Sequence, residues 1–124
     1  MKVNQFQPYI GNEEYESIKE CFDINWITEG PKAKEFSKKL CNLIGCKYGV
    51  FAPNGTLSLY LGLKAIGIKP GDEVLVPNFT FIASANAVEM IGAKPIFVDI
   101  NIDTLHIDLD KCNKLITTKT KAIM

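Results

Sequence analysis

Residues 48–65 decide how the rest of the chain can be interpreted, and they read Tyr-Gly-Val-Phe-Ala-Pro-Asn-Gly-Thr-Leu-Ser-Leu-Tyr-Leu-Gly-Leu-Lys-Ala. The apolar run at 48–52 predicts a strand, and a polar turn follows at 53–56. The recurring leucines after the turn predict a mostly buried helix over Gly55–Ile66. The first amides of a helix have no partner within it and lie at the positive end of its dipole. The stretch therefore predicts a turn that can bind an anion, most often a phosphate.

Length and composition indicate about one domain with a substantial core. The chain has 124 residues, 47% of them apolar, and 14 basic residues balance 14 acidic ones. This balance leaves no basic field for nucleic acid, and no apolar run reaches the roughly 20 residues that a membrane span needs. We therefore expect neither a nucleic-acid partner nor a membrane partner.

The cysteines do not follow a metal-binding pattern. None of Cys21, Cys41, Cys46 and Cys112 belongs to a Cys-x-x-Cys pair, and His106 is the single histidine. The sequence also begins without a signal-peptide pattern. These observations predict a cytoplasmic protein with reduced thiols and without a metal site.

Strand and helix patterns alternate along the rest of the chain. Helical spacing covers Glu13–Phe22 and Lys32–Ile44, ahead of the central stretch. After it come three short apolar strands, at 73–76, 94–100 and 119–124, which alternate with helical patterns at 82–90 and 109–116. This order predicts an α/β fold with a mainly parallel sheet and helices on both faces. Because no helix follows the last strand to cover it, we expect the chain to be the first part of a larger fold.

Three blocks, taken in this order and spacing, resemble the sugar aminotransferases of the DegT/DnrJ/EryC1/StrS family. The blocks are Trp26–Pro31 (Trp-Ile-Thr-Glu-Gly-Pro), Asn54–Thr56 with Pro70–Val74, and Val76–Ala87 with Gly92–Asp99. The resemblance covers nearly all of the chain. It implies the N-terminal part of the aspartate aminotransferase-like fold (fold type I). Residues 1–46 would form a helical segment with an active-site loop, and 47–124 the first part of the large cofactor-binding domain.

The resemblance implies a pyridoxal 5'-phosphate cofactor and three residues that bind it. Gly55 and Thr56 would hold the phosphate through backbone amides and a hydroxyl, and Phe81 would stack on the pyridine ring. The residues alone leave a plain helix cap and a core phenylalanine as alternatives. Phe79, two residues before Phe81, is expected to be a core residue.

One loop and one acidic residue also gain an interpretation from the resemblance. Trp26, Thr28 and Gly30 match a loop that lies near the substrate and the dimer interface in the family; by itself, Trp26 fits equally well as a hydrophobic plug between two helices. Asp99 is expected to be a structural residue at a strand end, because the family places the acid that pairs with the pyridine nitrogen further along the chain.

For the complete enzyme the resemblance implies transfer of an amino group, from glutamate, to a keto group of a nucleotide-linked sugar, by a homodimer. The family's lysine that forms a Schiff base with the cofactor lies beyond Met124. No catalytic residue is therefore expected in these 124 residues, and on their own they are expected to be inactive.

Three alternatives stay open at this point. One is a pyridoxal-phosphate-dependent sugar dehydratase of the same family, and another is an inactive fragment that serves as a folding or interaction module. The third is a generic nucleotide-binding α/β domain, which the lack of a Gly-x-Gly-x-x-Gly or Walker motif disfavours.

Overall fold

The computed structural model describes residues 3–4 and 6–124, in two compact units of which the first ends at Val50 and the second begins at Phe51. The first unit contains α1 (Asn12–Asp23) and α2 (Pro31–Ile44). The second contains α3 (Gly55–Ala65), β1 (Glu73–Pro77), α4 (Ala83–Met90), β2 (Lys94–Val98), α5 (Leu109–Leu115) and β3 (Thr120–Ile123). All five predicted helices and the three later predicted strands are confirmed.

The two helices of the first unit are held at their ends by local contacts. At the start of α1 the Gly11 amide donates to the Glu14 carboxylate over 2.7 Å, and this hydrogen bond lowers the pKa of Glu14. Lys32 in α2 forms an ion pair with Glu20 in α1. Neither helix buries a residue fully, so this unit has no core of its own among the described residues.

In the part of the chain that the structure describes, three parallel strands form a sheet in the order β2-β1-β3. The side chains of the central strand, β1, alternate between its two faces. Val74 and Val76 join a cluster with residues of α3 and α4, whereas Leu75 packs with Val98 and with Cys112 of α5. Helices therefore cover both faces, and the predicted α/β fold with a parallel sheet is confirmed.

The prediction of a first strand at residues 48–52 is wrong. The strands of the described sheet pair with one another, and this segment does not join them. An apolar run gives a segment the tendency to form a strand, but the strand itself requires a ladder of hydrogen bonds with a neighbour. The sequence pattern therefore indicated a tendency to form a strand, but this segment pairs with no strand of the described sheet.

Helix α3 is where the sequence predicts it, but the prediction that it is mostly buried is wrong. Leu63 is its one fully buried residue, and Leu61 is 45% exposed. Helix α4 and the cluster around Val76 cover one side of α3. The apolar residues on its other side therefore lie at the surface of the described chain.

We expect Gly92→Ala to destabilise the second unit by about 2 kcal/mol, and Gly67→Ala by about 1 kcal/mol. Both glycines have positive φ angles, 81° and 86°, which cost an alanine strain. A Cβ atom on Gly92 would also lie 3.2 Å from the Cβ of Pro70, whereas nothing lies within 4 Å of one on Gly67. Urea unfolding of both variants measures the difference. Equal losses at the two positions would show that the contact with Pro70 is not tight.

Candidate functional site

The first turns of α3 and α4, with the residues just before them, line an open pocket of about 600 Å³. This volume is typical of pockets for small cofactors. The lining residues are Asn54, Gly55, Thr56, Ser58, Leu59, Phe81, Ala83 and Ser84. The structure thus brings Gly55, Thr56 and Phe81 to the same pocket, and their roles there stay predictions.

The cap of α3 leaves two amides available at the pocket. The Asn54 side chain accepts from the Leu57 amide over 3.0 Å, and the Asn54 carbonyl accepts from the amide and the hydroxyl of Ser58, each over 3.0 Å. The amides of Gly55 and Thr56 precede the first intrahelical hydrogen bond, so the helix itself gives them no acceptor. Nothing lies within 4 Å of the position that a Cβ on Gly55 would occupy. An anion can therefore approach these donors closely.

The lining of the pocket also includes an exposed aromatic ring. Phe81 is 78% exposed, and its carbonyl accepts from the Ser84 amide over 3.1 Å in the first turn of α4. Thr80 and Ser84 also share a hydrogen bond between their hydroxyls, 3.1 Å long. The ring is thus held by its backbone and open to a flat ligand. Phe79 is 65% exposed, so the prediction that it is a core residue is wrong, because it lies past the end of β1 where no described element covers it.

The pocket lining is mostly apolar, and its polar groups are not ionisable. None of its lining residues carries a titratable side chain, and the described part of the chain has no cluster of His, Cys, Asp and Glu suited to a metal ion. Its donors are amides, hydroxyls and the positive end of α3. Such a set can bind an anion and a flat ring, but it includes no side chain that gains or loses a proton near neutral pH.

Among the lining residues that the sequence analysis did not identify, Ser58 and Ser84 carry hydroxyl groups. Each lies one helical turn beyond a residue that was identified, because Ser58 follows Gly55 by three positions and Ser84 follows Phe81 by three. Residues three apart share one face of a helix. Helical spacing could therefore have indicated both serines, once the adjacent residue had been assigned to the pocket.

The predicted Trp26–Gly30 loop lines a separate, small pocket within the first unit. That pocket has a volume of about 40 Å³ and includes Trp26, Thr28 and Gly30. The Trp26 indole donates to the Glu29 carbonyl over 2.9 Å, and a Cβ on Gly30 would lie only 2.5 Å from the indole nitrogen. Gly30 is therefore the residue that lets the ring fold against its own loop. Contact of this loop with a substrate or partner stays a prediction.

Comparison with known proteins gives consistent matches. The model of the DegT/DnrJ/EryC1/StrS aminotransferase family matches residues 8–124. GDP-perosamine synthase of Caulobacter vibrioides is 42% identical over 99% of this chain and 33% of its own length. NtdA of Bacillus subtilis, solved with its cofactor PMP (pyridoxamine phosphate), is 39% identical, with a TM-score of 0.84 over 92% of this chain and 27% of its own.

A dehydratase is also similar. GDP-4-keto-6-deoxymannose-3-dehydratase, solved with pyridoxal phosphate and glutamate trapped together, is 27% identical, with a TM-score of 0.89 over 98% of this chain and 33% of its own. The chain spans about a third of the length of the relatives it matches. Among the described residues, no helix is both long and apolar enough to cross a membrane.

Proposed function

This chain belongs to the DegT/DnrJ/EryC1/StrS aminotransferase family, and we propose that it forms the phosphate-binding and ring-stacking part of a pyridoxal-phosphate-dependent sugar aminotransferase. The observation that carries the proposal is the pocket whose lining combines two free helix-end amides with an exposed phenylalanine. The amides suit the cofactor's phosphate, and the ring suits its pyridine. When bound, the cofactor supplies the electron sink for amino transfer.

The residues of this chain then bind and orient the cofactor. The amides of Gly55 and Thr56 and the Thr56 hydroxyl hold the phosphate, and Phe81 stacks on the ring. Because none of the residues lining the pocket is titratable, this chain contributes positioning and no proton transfer there.

For the complete protein we propose an amino group donated by glutamate and accepted by a keto group of a nucleotide-linked sugar. GDP-perosamine synthase among the relatives supports a nucleotide sugar, and the glutamate trapped in the dehydratase supports the donor. We further propose a cytoplasmic homodimer in which residues 26–30 lie near the substrate or the second subunit. The free state of Cys21, Cys41, Cys46 and Cys112 supports a reducing compartment.

Sugar dehydration within the same family is the second candidate, and the high structural similarity to the dehydratase favours it. An assay of the complete protein with glutamate, the cofactor and a GDP-linked 4-keto-6-deoxymannose distinguishes the two reactions by their products. An aminotransferase forms a sugar that retains the nitrogen of glutamate. A dehydratase forms a keto sugar that has lost one further hydroxyl group and retains no nitrogen, so the product, and not glutamate consumption, distinguishes the two.

We expect the 124-residue chain by itself to catalyse no amino transfer. It presents no titratable side chain at the pocket, and removing a general acid–base typically costs a factor of about 10²–10⁴. Glutamate consumption with the GDP-linked keto sugar measures this, with the complete GDP-perosamine synthase as the positive control. Turnover by purified chain of verified sequence would contradict it.

The binding role has its own test, in which we expect Phe81→Ala to weaken pyridoxamine 5'-phosphate binding about tenfold. This ligand lacks the aldehyde that would react with surface lysines, so calorimetry reports the pocket alone. Phe79→Ala is the matched control, because Phe79 is similarly exposed but does not line the pocket.

The outcome decides between cofactor binding and a purely structural module. Equal affinities of the two variants for the ligand would show that Phe81 does not contact it. If the unsubstituted chain fails to bind the ligand at all, the proposed function of the chain is wrong and the inactive-module alternative replaces it.

A further inference from the structure

A polar network at the carboxyl ends of β1 and β2 lies beside the pocket without lining it. Asn78 follows the last residue of β1, and its side-chain amide donates to Asp99 over 2.5 Å. The Asn78 backbone amide donates to the Val98 carbonyl over 2.8 Å. The residue that starts the segment leading to Phe81 is therefore tied to β2 by both its side chain and its backbone.

Asp99 is itself fixed from the opposite face of the sheet. Its second carboxylate oxygen accepts from Lys111 of α5 over 3.2 Å, and its carbonyl accepts from the Asp108 amide over 3.0 Å. Lys111 also lies 3.8 Å from the Asp108 carboxylate. The network thus links α5, which covers one face of the sheet, to the segment that enters α4 on the other face.

We propose that Asp99 is a positioning residue that holds Asn78 and, through it, places Phe81 at the pocket. The segment between Asn78 and α4 has few other anchors, because Phe79, Thr80 and Phe81 are exposed. Its far end is held by the bonds of Ser84 to Thr80 and Phe81. With one end fixed by α4, the side-chain bond of Asn78 to Asp99 fixes the other end together with its backbone bond to Val98.

Because the network is exposed, its effect on the position of Phe81 can be measured separately from its effect on folding stability. The side chain of Asp99 is 61% exposed, and exposed ion pairs contribute little to folding. Loss of Asp99 is therefore expected to disturb the segment between β1 and α4 while leaving the unfolding midpoint in urea nearly unchanged.

Asp99→Ala, Asn78→Ala and the double variant form the test, with Asp103→Ala as the control. Asp103 is an exposed aspartate in the turn after β2, and it bonds Asn101 through its backbone amide. The first readout is the NMR signals of Phe81 and Ser84 in the ligand-free chain. We expect Asp99→Ala and Asn78→Ala to move both signals in the same direction, and Asp103→Ala to leave them in place.

The second readout is affinity for pyridoxamine 5'-phosphate, which rests on the proposed function. We expect Asp99→Ala and Asn78→Ala each to weaken binding about fivefold, and the double variant to weaken it no further. Asp99→Asn is expected to restore most of the affinity, because its side-chain oxygen still accepts from Asn78.

Each failure has a separate meaning. Unmoved signals of Phe81 and Ser84 in Asp99→Ala, or fully additive losses in the double variant, overturn the positioning role. Absence of ligand binding by the unsubstituted chain overturns the proposed function instead, and the ligand-free signals then still decide whether Asp99 positions the segment.

Discussion

Thr56→Glu is expected to bind pyridoxamine 5'-phosphate about a hundredfold more weakly than the unsubstituted chain. A carboxylate at this position would lie beside the two free amides of α3 and face the phosphate directly. Two unit charges about 5–6 Å apart, at an effective dielectric constant of about 20, repel by about 3 kcal/mol. That energy corresponds to roughly a hundredfold in affinity.

The substitution is not expected to harm the helix. Thr56 is the second residue of α3, and a negative charge in the first turn stabilises a helix through its dipole. Loss of binding with an unchanged or raised unfolding midpoint in urea would therefore assign the effect to the pocket. This combination distinguishes an anion site from a helix cap that merely tolerates threonine.

Two variants complete the experiment. Thr56→Val removes only the hydroxyl and is expected to weaken binding about fivefold. Leu61→Glu introduces the same charge on α3 at an exposed position that does not line the pocket. If Thr56→Glu and Leu61→Glu bind the ligand equally well in calorimetry, the phosphate does not lie at the start of α3.

Leu75→Ala is expected to destabilise the second unit by about 2–5 kcal/mol. Leu75 lies in the central strand, is 0% exposed, and packs against Val98 and Cys112. Its removal leaves a cavity between the sheet and α5 that the close-packed neighbours fill only partly. Because small domains have little stability to lose, this variant is expected to unfold at much lower urea concentration.

Leu109→Ala is the matched control, since Leu109 belongs to α5 but is 64% exposed. Its expected loss is below about 1 kcal/mol. Should Leu75→Ala be unfolded without urea, titration with trimethylamine N-oxide, which favours the folded state, recovers the measurement. A loss no larger than that of Leu109→Ala would show that the α5 face of the sheet is not a packed core.

Local patterns along the chain predicted most of the elements. Helix α3 was predicted from the leucines that recur after the turn at 53–56, and the Asn54 side chain caps it. Helix α5 was predicted from the helical pattern at 109–116, and Asp108 caps it by accepting from the amides of Asp110 and Lys111. The strands were predicted from short apolar runs, and the run at 73–76 became the buried centre of the sheet. These signals are reliable because each depends on residues within a few positions of one another.

The errors share one physical cause. Burial and strand pairing depend on which distant segment lies alongside, and no local pattern encodes that neighbour. The apolar run at 48–52 was predicted to be a strand but does not join the sheet of the described residues, and Phe79 was predicted to be buried but is exposed. The same reasoning explains why α3 is less buried than its leucines suggested.

By itself, the sequence determined the α/β order of the second unit and its family, and it predicted a phosphate-binding turn at 54–56. Each of these depends on adjacent residues or on the spacing of short blocks. Only the tertiary structure brought Phe81 to the pocket that the turn lines, because α3 packs against α4. Parallel pairing of β1 with β2 placed Asp99 beside Asn78, 21 positions away in the chain, because neighbouring strands convert separation in sequence into contact in space.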